Sequence, residues 1–358
     1  MKTEIVKVLG DFCLNCSKLP PEEEEILSRA ASIIKAGGLV IFPTETVYGL
    51  GGDGTNPDAA KKIYTAKGRP SDNPLIIHIS DPADAGKYAF TSETYYKLAE
   101  RFMPGPLTVI LKAKDTVPIQ TRGGLDTVAV RCPAHPVANR LIKLSGVPIA
   151  APSANLSGSP SPTKASHAID DMDGRVDMII DGGECDFGLE STIVKIDESG
   201  ELCLLRPGKI TVKDLEVIGA VSVADSVVDK LREGEVALSP GMKYRHYAPK
   251  SPLVLLDGEC RDAIEYIKNK KEKSIAVICY TDELETYKKE LPCASFYVLG
   301  ASCDENEHAH RLFDILREAD KGNYDIIFAP LPKKQGIGLA LYNRMIRAAA
   351  HTIINLKR

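Results

Sequence analysis

The sequence predicts an α/β protein in which a larger domain with a mixed sheet precedes a smaller domain with a parallel sheet. Three observations carry this. Short apolar runs of strand length recur through the first part of the chain, with helical stretches between several of them. From Leu253 onward four such runs alternate regularly with helical stretches, the pattern of parallel strands joined by crossover helices. Between the two regions, Thr211 to Lys250 has no clear core strand after Val223. We place the boundaries at 1–210, 211–250 (a linker) and 251–358, and 358 residues with 44% hydrophobic content suffice for more than one core.

The elements follow in order. Glu22 to Lys35 reads as an amphipathic helix, with Ile26, Ala30, Ile33 and Ile34 on one side and Gly37-Gly38 as its stop. Leu39 to Phe42 is a β-rich run ended by Pro43, and Gly49, Gly51, Gly52 and Gly54 then offer a backbone that a ligand could approach closely. Asn56 is placed to cap a helix with Pro57 in its first position. Further strands are expected at Leu75–Ile79, Leu107–Leu111, Thr127–Arg131, Val147–Ala151, Asp177–Ile180, Thr192–Ile196 and Leu202–Leu205. The second domain should contribute Leu253–Leu256, Ile275–Tyr280, Phe296–Leu299 and Ile326–Ala329. No GxGxxG follows its first strand, and Gly336-Ile337-Gly338 comes too late to be a dinucleotide fingerprint, so this domain reads as a Rossmann-like layer without visible catalytic equipment.

Composition excludes several classes. A net charge of −4 argues against a dedicated nucleic-acid binder. No apolar run approaches the roughly 20 residues that span a bilayer, and MKTEIVKVLGDF lacks a signal-peptide core, so we expect a cytoplasmic protein with no membrane partner. Nine scattered cysteines read as reduced thiols; Cys13 and Cys16 form a CxxC without the second pair that zinc requires, and Cys132 reads as a packed strand-end thiol.

Candidate chemistry gathers at strand ends. Between Asp58 and Asp72 the charged side chains are Lys61, Lys62, Lys67 and Arg69, which offer cations to a polyanion such as phosphate. Lys61 and Lys62 also fit a solvated helix face, whereas Lys67 and Arg69 flank Gly68 at the helix end, before a Pro-Ser-Asp-Asn-Pro turn. Strand alternation puts Thr127, Ala129 and Arg131 on one face, and Ile76 with His78 on one face of the neighbouring run. The loop Pro152 to Ser161 brings hydroxyls and an amide to a strand end, where open α/β sheets place ligands, although its composition equally suits a plain surface loop.

The strings PTETVYGLG, KGRPSDNPLIIHI, PGPLTVIL, TVAVRCP, PIAAPSANLSG, ESTIV and LLRPG, in this order, resemble the threonylcarbamoyl-AMP synthase family over about residues 25 to 210. SPGMKYRHYAP (Ser239–Pro249) and QGIGLALYNRMIRAA resemble the linker and carboxyl-terminal domain of its long form. The resemblance implies a YrdC-like twisted mixed-sheet domain followed by a smaller Rossmann-like parallel domain. It implies that L-threonine, bicarbonate or CO2, and ATP yield threonylcarbamoyl-AMP and diphosphate, for threonylcarbamoyladenosine in tRNA. Carried onto matching positions, it gives Thr44, His78, Arg131, the backbone around Ala151, and Ser191 to threonine, with Arg131 on its carboxylate. Lys67, Arg69, Asn73, Thr127, Ser153, Asn155, Ser161 and Arg206 fall to ATP, with Tyr244 from the linker. Lys67 and Arg69 would supply charge stabilisation, with no covalent nucleophile, and Mg2+ would accompany ATP without a protein-only cage. Tyr244, Arg245, His246 and Tyr247 suggest either a strap over the active site or an anchor for the linker. The tRNA threonylcarbamoyl-transfer machinery would be the downstream partner; direct tRNA contact stays open. Two other readings are a carbamoyl-transferring or nucleotide-hydrolysing relative and a double-stranded RNA-binding maturation factor. On this reading, Arg131→Ala should abolish threonine-dependent turnover and preserve the fold.

Overall fold

The structure is a computed structural model that describes residues 2–8, 20–197, 199–229 and 247–357. The chain divides into two compact units, residues 1–157 with 161–243, and residues 158–160 with 244–358. Cys13, Cys16, Tyr244, Arg245 and His246 lie outside the described residues.

In the first unit the order is β1 (Glu4–Lys7), α1 (Pro21–Lys35), β2 (Val40–Phe42), β3 (Gly49–Asp53), α2 (Pro57–Lys67), β4 (Ile76–His78), α3 (Glu93–Phe102), β5 (Leu107–Lys112), β6 (Thr127–Arg131), α4 (Pro136–Ser145), β7 (Ile149–Ala150), α5 (Ala165–Met172), β8 (Met178–Asp181), β9 (Thr192–Ile196), β10 (Leu202–Arg206), α6 (Val212–Leu215) and β11 (Val221–Val223). The strands form one sheet in the order β1-β8-β2-β3-β7-β4-β6-β5-β9-β10-β11. It is mixed: β2 and β3, β3 and β7, β4 and β7, β5 and β6, and β9 and β10 pair antiparallel, while β4 and β6, and β5 and β9, run parallel.

α1 and α4 bury their apolar stripes on one sheet face, where Leu27, Ile34, Leu141 and Ile142 meet Val40, Phe42, Ile149 and Ile180. The glycine-rich stretch after Val47 forms strand β3. A Cβ on Gly51 would stand 2.6 Å from the Phe42 ring and 2.8 Å from Ile149, and one on Gly54 2.9 Å from the Pro148 carbonyl. These glycines let β3 pass between β2 and β7 beneath bulky neighbours.

The second unit contains β12 (Leu253–Asp257), α7 (Cys260–Lys268), β13 (Ile275–Cys279), α8 (Leu284–Glu290), β14 (Ser295–Val298), α9 (Glu305–Lys321), β15 (Ile326–Pro330), α10 (Gly338–Ala348) and β16 (Ile353–Asn355). Its strands pair in parallel in the order β14-β13-β15-β12-β16, as the alternating pattern predicts. Helix starts in this unit carry carboxylates. Glu259 and Asp262 make a capping box at α7, Asp304 accepts the N–H groups of Asn306 and Glu307 at α9, and Glu305 accepts the Gly338 N–H at α10. Tyr247 of the SPGMKYRHYAP string is buried here, stacked 5.1 Å from Phe313, so this residue anchors its segment within the second unit.

Leu141, fully buried between α1 and the sheet, tests the packing of the first unit. Leu141→Ala should cost about 2–5 kcal/mol, read from the shift of this unit's transition in chemical denaturation.

Candidate active site

Local signals at α2 place the first cluster. The Asn56 side chain accepts from the N–H groups of Asp58 and Ala59, Pro57 opens the helix, and Gly68 closes it in the left-handed conformation at φ 61°. The turn aims Lys67 inward and starts the segment that carries Arg69. Lys67, 2% exposed, donates to the carbonyls of Ser153 and Asn155 at 2.5 Å each and lies 3.4 Å from Asn155 Oδ1. It thereby ties the end of α2 to the loop after β7. Ser153 donates to Asn155 Oδ1 at 2.6 Å. Arg69 donates to the carbonyls of Asn73 and Pro74, which folds the Pro70–Asn73 turn back on itself. Asn73 is buried, and its Oδ1 makes no hydrogen bond.

The second cluster lies on one face of the sheet, as period-two alternation predicts. His78 stands opposite Arg131 across the β4/β6 pair, and Arg131 opposite Thr108 across β6/β5. Thr108 Oγ1 is 2.7 Å from Ser191 Oγ, which also accepts from Arg206 Nη2 at 3.1 Å; Arg206 Nε holds the Ser191 carbonyl at 3.0 Å. Ala151 reaches the same region through its N–H, donated to the Ile76 carbonyl. Thr127 sits at the other end of β6, roughly 13 Å from Arg131 along the strand.

The Thr44-Glu45-Thr46 turn is built inward. Thr44 Oγ1 donates to the Val47 carbonyl at 2.6 Å, so Thr46 Oγ1, 2.8 Å away, donates to it. The carbonyls of Glu45 and Thr46 accept from Phe187 and Gly188 N–H, which binds this turn to the segment before β9. Two carboxylates that strand pattern and composition do not single out complete the site. Glu45 Oε1 pairs with Arg131 Nη2 at 2.6 Å, both side chains buried. Glu190 accepts from Ser161 Oγ. Each sits beside residues that the sequence does mark, but its partner is distant in the chain.

Burial sets the protonation states. His78 is pushed down to about 3 by burial first and by the Arg131 charge second, so its ring is neutral. Its Nδ1 faces the Ile149 carbonyl at 3.3 Å, a contact that suits the Nδ1–H tautomer. Cys132 is fully buried and pushed up to about 12, the inert thiol its strand-end position predicts. Among the described residues no group of three or more His, Cys, Asp or Glu converges as a metal cage, and no helix is long and apolar enough to cross a membrane.

The chain is similar to known proteins along most of its length. The family model described as telomere recombination (Sua5, YciO, YrdC) matches residues 32–208, and that of the threonylcarbamoyl-AMP synthase carboxyl-terminal domain matches residues 210–350. Threonylcarbamoyl-AMP synthase from Pyrococcus abyssi is 43% identical over 342 residues, which cover 93% of this chain and 97% of that protein. The Bacillus subtilis protein of the same name is 42% identical over 335 residues, 92% and 94% of the two chains. The crystal structure of P. abyssi Sua5 complexed with L-threonine superposes with a TM-score of 0.86 at 39% identity, covering 99% of each chain.

The neutral His78 has a stability consequence. Its folded pKa lies below an ordinary histidine's 6.5, so between about 3 and 6.5 the unfolded chain binds the extra proton, and stability falls as pH drops through that window. The slope from this group approaches about 1.4 kcal/mol per pH unit well below 6.5. Urea midpoints of the first unit at pH 7 and pH 5 should therefore differ less in His78→Gln than in the parent chain.

Proposed function

The chain belongs to the threonylcarbamoyl-AMP synthase family, and from that premise we propose that its first unit joins L-threonine, CO2 or bicarbonate, and ATP into threonylcarbamoyl-AMP and diphosphate. The observation that carries this reading is the pairing of two clusters in one unit. One is the phosphate-suited Lys67–Arg69 segment tied to the Ser153–Asn155 loop; the other is the amino-acid-suited set of Thr44, His78, Arg131 and Ser191 on a sheet face.

The threonine ammonium gives up a proton to solvent, the free amine adds to CO2 and releases a second proton to form a carbamate (from bicarbonate, a water leaves instead), and a carbamate oxygen attacks the α-phosphorus of ATP as diphosphate leaves. The substrates supply the nucleophile, so the protein's task is positioning and charge neutralisation. Arg131 takes the threonine carboxylate, and the Nε2 acceptor of neutral His78 suits the threonine hydroxyl. Ala151 and Ser191 complete the amino-acid pocket. Lys67 and Arg69 face the phosphates, and Asn73, whose buried Oδ1 lacks a protein partner, joins Thr127, Ser153, Asn155, Ser161 and Arg206 around the nucleotide. Mg2+ enters as the ion carried by ATP: cations and amides around Lys67 suit phosphate, not a bare divalent ion. The product would pass, in the cytoplasm, to the machinery that modifies tRNA.

Diphosphate release from ATP with bicarbonate tests the reading, comparing L-threonine, L-serine and no amino acid. Release that depends on threonine is expected; release without it points to a nucleotide-hydrolysing relative and overturns the assignment. Arg131→Ala is a poor probe of the carboxylate contact, because it leaves Glu45 as an uncompensated buried charge at a cost of about 3–5 kcal/mol. Arg131→Lys keeps the charge and loses the planar fork, and should lower threonine-dependent release roughly ten- to a hundred-fold with the thermal transition retained.

A further inference from the structure

We propose that Glu45 and Arg131 together form a receptor for an amino-acid zwitterion, in which Glu45 Oε2 takes the substrate's ammonium while Arg131 takes its carboxylate. This deepens the threonine reading above and rests on it. The pair is closed at one point only. Arg131 Nη2 meets Glu45 Oε1 at 2.6 Å, and Arg131 Nε reaches the Gly105 carbonyl at 3.4 Å, while Nη1 makes no hydrogen bond to a described residue. Glu45 is 9% exposed, and its Oε2 is buried with no hydrogen-bond partner among the described residues.

A guanidinium and a carboxylate that serve only each other settle into a two-bond fork and use both oxygens. Here one anionic oxygen and the donors of Nη1 are left over on the same buried pair. An orphaned buried carboxylate oxygen is costly, and native proteins seldom retain one without a use for it. Among the described residues none supplies the missing cation. Cys132, His135 and Cys185 lie near Glu45, with the acidic Asp186 beside the last two; burial raises both thiols and lowers the imidazole, so none of the three is a cation at neutral pH. His135 Nδ1 is in any case the acceptor for the Val137 N–H.

The complement of such a half-open pair is a molecule with an ammonium and a carboxylate on neighbouring atoms. Glu45 then discriminates before chemistry, because it rejects simple carboxylates that Arg131 alone would accept. It also discriminates after it: once the nitrogen carries a carbamate, attraction to Oε2 becomes repulsion, and the new oxygen is turned away from Glu45.

Calorimetric titration of the full chain with L-threonine and with 3-hydroxybutyrate, which lacks only the amine, tests the assignment. The parent chain should prefer threonine by roughly ten- to a hundred-fold. Glu45→Gln should collapse that preference by weakening threonine and leaving 3-hydroxybutyrate unchanged, and Glu45→Asp, which retains the charge, should restore part of it. Equal weakening of both ligands by Glu45→Gln would mean that Glu45 only holds Arg131 in place and would overturn the proposal. So would equal binding of the two ligands by the parent chain, a result that needs no variant to fold. Failure of the parent chain to bind threonine, with ATP present, would overturn the threonine reading itself and this proposal with it.

Discussion

The buried ion pair between Arg131 and Glu45 fixes how the rest of the first unit is arranged around its site. Arg131 comes from the end of a central strand, Glu45 from the turn after β2, and their 2.6 Å contact spans 86 positions of sequence. Removing a guanidinium and a carboxylate from water costs several kcal/mol per ion, and a single contact at low exposure recovers only part of it. Such a pair is weak evidence for stability and better evidence for recognition. The backbone of the turn that carries Glu45 is secured independently by Thr44, Thr46 and the carbonyl contacts to Phe187 and Gly188.

Lys67 has the corresponding role for the nucleotide cluster. Two backbone carbonyls and the Asn155 amide oxygen orient its ammonium. A cation held this way is preorganised for an anion, because little side-chain freedom is lost when phosphate arrives. The loop after β7 is positioned by the same contacts, which makes Ser153 and Asn155 dependent on the end of α2.

Much of this was legible in the sequence because it is local. Asn56, Pro57 and Gly68 mark both ends of α2 and hence the placement of Lys67 and Arg69. Period-two alternation places Ile76 and His78, and Ala129 and Arg131, on shared faces, and the parallel strands of the second unit follow from their regular alternation with helices. What escaped reading depends on distant partners. Glu45 and Glu190 look like polar residues of loops until Arg131 and Ser161 stand beside them. The short Glu4–Lys7 strand has only Ile5 and Val6 as apolar residues and pairs along the edge that β8 offers. Nor does the sequence reveal how close Phe42 and Ile149 come to Gly51.

The helix starts of the second unit have a consequence for nucleotide traffic. In dinucleotide-binding sheets, the N–H groups at the first turn after a strand are what diphosphate binds. Here Glu259, Asp262, Asp304 and Glu305 already occupy those donors from the chain's own side. A tethered carboxylate competes at an effective concentration that free phosphate in solution does not match, and it adds a repulsive charge of the same sign. Three helix starts of the parallel sheet, at α7, α9 and α10, thus have donors taken up from within.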